Sequence, residues 1–411
     1  MAKFNQLLDT QQRTIKPLFV SSYIPRKCGI ATFTKDLTKA MNDLNPDGLV
    51  KVVVVDPGEE PWEYPEEVVG KITKFNLETY EQAADLVNAS DAEVVCLQHE
   101  YGLFGTSDPT HYVGEYILRF LRQVEKPIIT TLHTILENPL PAHREVMREI
   151  AQLSDIMITM MPNAKERLEE KYGINPERVV IIPHGVADRP RARKVNKKRF
   201  GWENNKILLM TGLMSPGKGI EYAIDAMPGI LKQVPEALFV VVGQTHPDVI
   251  RRNGETYRNS LMERAKKLGV QEHVVFFNEY LALDDLLTYY EACDIYLTPH
   301  LDPQQVASGT LAYALGMGKA CISTPYIYAQ EMLRDGRGLL VDFKSGESIA
   351  NAALRIFTEP GYQNDLERKS YALGRTMSWP RVAERYLNLF RLTLSAKELV
   401  DKELLPVLTK A

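Results

Sequence analysis

ILLMTGLMSPGKGIEYAI, Ile207 to Ile224, reads as a short apolar run, a glycine-rich loop and the opening of an amphipathic helix, in that order. The run Ile207–Thr211 has the length and composition of a buried strand. The loop Gly212–Gly219 lets the backbone come close to a ligand. The helix after it offers unpaired N–H groups and the positive end of its dipole. Lys218 adds a mobile point charge. On physical grounds this is a phosphate site at the end of a strand. The spacing Gly212, four residues, Gly217-Lys218 imitates the phosphate loop of nucleotide hydrolases, but the next residue is Gly219 and not the Ser or Thr that would hold magnesium. A glycine turn carrying an exposed lysine is the other reading of the same loop.

The same alternation extends outward in both directions. Downstream, strand-like runs recur at Leu238–Val242, Val274–Phe277, Ile295–Thr298, Ala320–Ser323 and Gly338–Val341, with helical segments such as Ile220–Gln233 and Asp284–Cys293 between them. Upstream they fall at Leu18–Tyr23, Val50–Val55, Glu93–Gln98, Pro127–Leu132, Ile156–Thr159 and Val179–Ile182, with helices at Ile30–Leu44 and Tyr80–Ala89. Apolar strands separated by helices indicate a parallel sheet covered on both faces. The pattern predicts an α/β protein of two doubly wound Rossmann-like domains, residues 1–190 and 206–378. Asp188–Lys206, with seven Arg or Lys before Phe200 and Trp202, reads as a solvated linker (191–205) in preference to a nucleic-acid patch. The helical segment 379–411 is expected to cross back to the first domain. In such folds ligands bind beyond the carboxyl ends of the strands, so the expected site is a cleft that the two domains face.

Composition narrows the function. The 411 residues are 45% hydrophobic and 25% charged, and 49 basic against 53 acidic residues leave a net charge of -4. That is an ordinary soluble balance, with no basic excess to mark a nucleic-acid binder. Cys28, Cys96, Cys293 and Cys321 form no CxxC pair and read as buried cytosolic thiols. No apolar run approaches the roughly 20 residues that span a bilayer. The expected location is the cytoplasm, with a peripheral membrane contact left open and the oligomeric state unknown.

Two further groups of residues could carry chemistry. In QQVASGTLAYALGMGKACIST, Gln304 to Thr324, Ser308, Gly309 and Thr310 open a helix and form a second anion cradle, or a plain N-cap by Ser308. In the first half, YIPRKCGIATFTKDL (Tyr23–Leu37), QHEYGLFG (Gln98–Gly105) and TTLHTIL (Thr130–Leu136) each follow a strand. They bring His99 and His133 to one rim. His111, His143, His246 and His273 lack that placement and are given no role. No metal is expected, because no histidine pair stands at ligand spacing with a carboxylate. No GxSxG elbow, Cys–His pair or DxD triplet at a strand end is present.

Together these segments resemble a retaining glycosyltransferase of the GT-B class, in glycosyltransferase family 4. The resemblance rests on the loop at Gly29, His133, IPHGV at Ile182–Val186, the lysine loop Gly212–Gly219 and the stretch from Pro299 to Val341. PRKCGIATFTKDL and QHEYGLFG mark a subgroup. The resemblance implies a metal-independent hexosyltransferase with a nucleotide-sugar co-substrate and no other cofactor. Mannose or glucose is the implied sugar, GDP-mannose the favoured donor, and a saccharide or lipid-linked glycan the acceptor. It assigns His133 and Lys218 to the reacting centre, and His99, Glu100 and His133 to the acceptor. Gly29, Gly212, Lys218, Gln305, Ser308, Gly309, Thr310, Tyr313 and Glu331 fall to the donor. Three positions depart from the family pattern. Leu213 replaces an arginine, and Gln305 and Tyr313 replace two glutamates, the second of which holds the ribose. Glu331, in AQEML, is the nearest remaining carboxylate. The departures keep two alternatives open: a retaining glycoside phosphorylase using inorganic phosphate, and a non-catalytic sugar or nucleotide binder.

Overall fold

A computed structural model describes residues 13–58, 61–108, 112–161, 163–189 and 193–408. The described chain divides into two compact units: residues up to Gly185 together with those from Trp379 onward, and Val186–Ser378.

The first unit holds a seven-stranded sheet. Its strands are β1 (Pro17–Ser21), β2 (Lys51–Asp56), β3 (Val68–Thr73), β4 (Val94–His99), β5 (Ile128–Leu132), β6 (Ile156–Thr159) and β7 (Val179–Ile181), all parallel, in the order β3-β2-β1-β4-β5-β6-β7. Alternate residues of each strand feed opposite cores. Phe19, Val52, Val54, Cys96 and Ile129 pack on one face, Leu18, Val20, Val53, Val95 and Leu97 on the other. The helix Trp379–Leu408 covers the first of these faces beside the helix Gly29–Leu44, through Trp379, Val382, Tyr386 and Phe390. Tyr386 OH meets Thr131 Oγ1 at 3.0 Å, so even the polar tip of this aromatic is satisfied. Gly185 lies so close under Trp379 that a Cβ there would fall 2.0 Å from the indole ring.

Strand β3 has no counterpart in the sequence reading. VVGKIT is an edge strand whose side chains alternate between partly exposed and exposed up to Gly70, so it lacks the continuous apolar run by which the other strands were found.

The second unit repeats the plan with six parallel strands: β8 (Lys206–Thr211), β9 (Ala237–Val242), β10 (Val274–Phe277), β11 (Ile295–Thr298), β12 (Ala320–Ser323) and β13 (Gly338–Leu340). Their order is β10-β9-β8-β11-β12-β13. In both sheets the order reverses beside the first strand, between β1 and β4 and between β8 and β11. Those two switch points are where a doubly wound sheet opens a crevice for ligands.

The stretch expected to be a solvated linker is different. Residues 190–192 lie outside the described set, but Arg193–Phe200 is a helix belonging to the second unit. Its inward-facing polar side chains meet that unit's acids, while Lys194 and Lys198 are exposed: Lys197 Nζ lies 2.6 Å from Asp294, Arg193 pairs with Glu367, and buried Asn196 donates to Glu291. Phe200 stacks between Trp202 and Tyr289 at 4.6 and 4.4 Å. The basic run is polar because its partners are acidic side chains, and composition alone does not show partners.

Candidate active site

In the second unit the loop after β8 is held by its neighbours. Gly212 (φ +108°) donates its N–H to Val242 O at 2.9 Å, and Gly217 O accepts from Leu301 N at 2.9 Å. Gly219 is left-handed, with φ +68°, and caps the helix Ile220–Leu231. A Cβ on Gly219 would fall 2.1 Å from Pro299 O, so this glycine is required by packing as well as by φ. Gly217 is different, because a Cβ there would meet nothing within 4 Å. The space above it is open to a ligand.

Lys218 is half-buried, and among the described residues no carboxylate pairs with it. Burial lowers its pKa from the ordinary lysine value to about 8. Its Nζ lies 3.5 Å from His300 Nε2, and His300 Nδ1 lies 2.9 Å from Gln305 Oε1. Gln305 Nε2 donates to Ala307 O at 2.8 Å. The His300 ring stacks on Tyr326 with centroids 5.3 Å apart. Burial, and next the Lys218 charge, push the pKa of this imidazole down to about 3, so it is neutral at pH 7.

The second cradle adjoins the first. Ser308 caps the helix Gly309–Gly316 by accepting from Leu311 N at 3.3 Å, and its Oγ lies 3.3 Å from Thr310 Oγ1. A Cβ on Gly212 would touch the Thr310 methyl at 3.6 Å, so the two loops face each other. Lys218, Gln305, Ser308, Gly309 and Thr310 therefore line one region above β8 and β11. Tyr313 and Glu331 are placed differently. Tyr313 is 7% exposed, with its ring centroid 6.4 Å from that of Tyr290, beneath the cradle. Glu331 pairs with Arg334 at 3.0 Å.

In the first unit Gly29 is the first residue of its helix, capped by Cys28, whose Sγ accepts from Ala31 N at 3.4 Å. Cys28 is thus partly exposed and has a structural task, while Cys96, Cys293 and Cys321 are buried. A Cβ on Gly29 would meet nothing within 4 Å, which again leaves open space over a helix N-terminus. At the end of β5, His133 Nε2 lies 2.8 Å from Gln98 Oε1, and Gln98 Nε2 donates to Cys96 Sγ at 3.3 Å. That orientation of the amide places the proton on His133 Nε2 and the lone pair on Nδ1. Phe33 packs edge-on against His133 and His184, at 5.0 and 5.1 Å. Burial is the first cause that lowers His133 to about 3, and burial also lowers His184 to about 4, so both are neutral at pH 7. Glu100 accepts from Thr134 Oγ1, and burial raises its pKa.

His99 was expected on the same rim, but the structure places it wholly inside the core, between Tyr101 and Phe104, with neither ring nitrogen hydrogen-bonded. Neighbouring strand residues point to opposite faces, so Gln98 reaches His133 and His99 cannot. The histidines left without a role have local ones. His143 Nδ1 accepts from Leu140 N, His246 caps its helix by accepting from Asp248 N, and His273 contacts Ala237 O; His111 lies outside the described residues. Two histidines were missed, His184 and His300. Both follow the end of a strand, β7 and β11, which is the criterion that singled out His133.

Among the described residues no group of three or more His, Cys, Asp or Glu side chains is placed to hold a metal ion, and no helix is long and apolar enough to cross a membrane.

Comparison with known proteins agrees with this division. Residues 28–189 match the family model of Glycosyltransferase Family 4, and residues 192–373 that of Glycosyl transferases group 1. Both matches are to glycosyltransferase domains, one in each unit. The chain belongs to the glycosyltransferases of the family-4, GT-B type. It is 27% identical over 245 residues to mannosylfructose-phosphate synthase of Agrobacterium fabrum, covering 57% of this chain and about half (52%) of that protein. A glycosyltransferase from Rickettsia africae superposes with a TM-score of 0.70 at 16% identity, over 93% of this chain and 99% of that one. Anabaena HepE in complex with UDP and glucose gives 0.68 at 14%, over 90% and 98%. At such identities the structural likenesses establish the fold.

Proposed function

We propose that this chain is a retaining hexosyltransferase that moves mannose or glucose from a nucleotide sugar to a saccharide or lipid-linked acceptor without a metal ion. The observation that carries the proposal is Lys218, half-buried without a carboxylate partner, at the switch point of its sheet and beside the N-terminus of Gly309–Gly316. In the reaction the bond between the sugar C1 and the diphosphate oxygen breaks, and the electron pair leaves with the diphosphate. The acceptor hydroxyl forms the new bond to C1 on the face from which the diphosphate departs, which retains the configuration, and passes its proton to the departing diphosphate oxygen. Lys218 and the amides of Ser308–Thr310 stabilise the charge that grows on the leaving group, and the transition state is oxocarbenium-like. His133, neutral and with its lone pair on Nδ1, is the acceptor-side group, with Glu100 just past the end of the neighbouring strand β4. GDP-mannose is the favoured donor, since a relative from Mycolicibacterium smegmatis, 24% identical over 256 residues, is by name a GDP-mannose-dependent mannosyltransferase. The test is incubation with a panel of nucleotide sugars and acceptors, reading nucleoside diphosphate release and the product's anomeric configuration. No release with any pair, or an inverted product, overturns the proposal.

One observation favours a second reading. Position 313 carries a phenol, which has no carboxylate, and Glu331 is paired with Arg334, so neither offers a free carboxylate to a ribose diol. A glycoside phosphorylase would need none. Phosphate-dependent release of a sugar 1-phosphate, without binding of any nucleoside diphosphate, would establish that reading in place of the first.

A further inference from the structure

Resting on the donor-site reading above, we propose that His300 and Gln305 are positioning residues that hold the Lys218 ammonium toward the donor phosphates, and that Gln305 does so because it is uncharged. The argument begins at one backbone carbonyl. Ala307 O accepts from Gln305 Nε2 at 2.8 Å, which fixes the flip of the amide and turns Oε1 toward His300. Oε1 cannot donate, so at 2.9 Å it accepts from His300 Nδ1–H. With the proton on Nδ1, Nε2 carries the lone pair, and this nitrogen faces Lys218 Nζ at 3.5 Å, the outer limit of a hydrogen bond. A fixed chain of three bonds thus runs from the backbone to the ammonium and gives a lysine without a carboxylate partner one directional acceptor.

The imidazole itself is held from several sides. Tyr326, from the segment after β12, stacks on its face, and Thr324 Oγ1 donates to the His300 carbonyl at 2.5 Å. The one charged group facing the ring, among the described residues, is Lys218 from the loop after β8. A carboxylate at position 305 would also accept from Nδ1–H, but it would favour the imidazolium. Both ring nitrogens would then carry protons, and Nε2–H would confront the ammonium with a like charge. The amide avoids this, and burial helps to keep the ring neutral.

The test uses the full chain, with ¹⁵N-imidazole NMR between pH 5.5 and 8 and inorganic pyrophosphate as the probe. The wild type is expected to show His300 protonated on Nδ1 alone, with no titration in this range. In Gln305→Glu the ring should titrate within the range, and pyrophosphate affinity should acquire a pH dependence there that the wild type lacks. In Gln305→Met, which is close in volume, the tautomer should become mixed and affinity should fall about tenfold, the size expected for loss of one hydrogen bond to a charged group. Thermal melting of each variant separates these effects from loss of fold. A wild-type His300 protonated on Nε2, or variants with unchanged tautomer and affinity, overturns the proposal. If the tautomers behave as expected but the wild type binds no pyrophosphate, it is the donor-site reading that fails.

Discussion

Lys218 is where residue-level physics speaks most directly about function. Burial has already lowered its pKa to about 8, so its charge disappears as pH rises through that value, well before an exposed lysine would lose it. If the ammonium binds the donor, Lys218→Ala should weaken binding of UDP or GDP at least tenfold at pH 7, as expected for loss of a charged contact of about 1.5–3 kcal/mol. The deficit should shrink by pH 9.5, where the wild-type lysine is largely neutral. Isothermal titration at the two pH values measures this, and a deficit that stays constant would show that the charge of Lys218 is not what binds. His99 offers a complementary prediction. It is fully buried with neither nitrogen hydrogen-bonded, so replacing it by an apolar side chain of similar size removes a desolvation cost. His99→Leu should unfold at the same or higher urea concentration than the wild type at pH 7, and a large loss would mean that its nitrogens have partners in solution.

At the scale of elements, glycines show which contacts are essential. Gly219→Ala places a methyl against the Pro299 carbonyl and forces an L-residue to φ +68°, which alone costs about 1–2 kcal/mol. Melting temperature and diphosphate binding should both fall, because Gly219 joins the lysine loop to the loop after β11. Gly185→Ala strikes the Trp379 indole and should loosen the helix Trp379–Leu408 from the first unit while leaving diphosphate binding intact. Protease cleavage within that helix, followed alongside binding, checks this; loss of both together would mean that the effect is not local. Most of these elements were legible in the sequence. Strands such as Ile295–Thr298 and Ala320–Ser323 announce themselves because both of their faces are buried, and the Gly212–Gly219 loop is visible because glycine and lysine at a strand end have few structural reasons to coincide. Other features were hidden. Edge strand β3 has no continuous apolar run, and the helix Arg193–Phe200 depends on acids that lie about 90 to 175 positions further along. The roles of Gln98 and Gln305 depend on amide orientation, which spacing does not encode.

For the molecule as a whole, acid should be damaging. His99, His133 and His184 in the first unit and His300 in the second are held at about 3 to 4, below the ordinary histidine value of 6.5. Below pH 6.5 the unfolded chain takes up protons that the folded chain refuses. Stability is therefore full above that pH and is lost as pH falls toward 4, by up to about 1.4 kcal/mol per pH unit for each histidine. Urea midpoints should drop between pH 7.5 and 5, and a flat profile would mean that these rings are protonated in the fold. The return of Trp379–Leu408 to the first unit has a consequence during synthesis. Chains emerge from the ribosome in sequence order, at about 5–20 residues per second, yet one face of the first sheet is closed by residues made after the entire second unit. The first half must therefore wait, with Phe19, Phe33 and Ile129 uncovered, for about 10–40 seconds while residues 186–378 are made. In that interval it is a natural client for chaperones, and a ribosome that stalls before Trp379 releases a chain whose second unit can fold and whose first cannot.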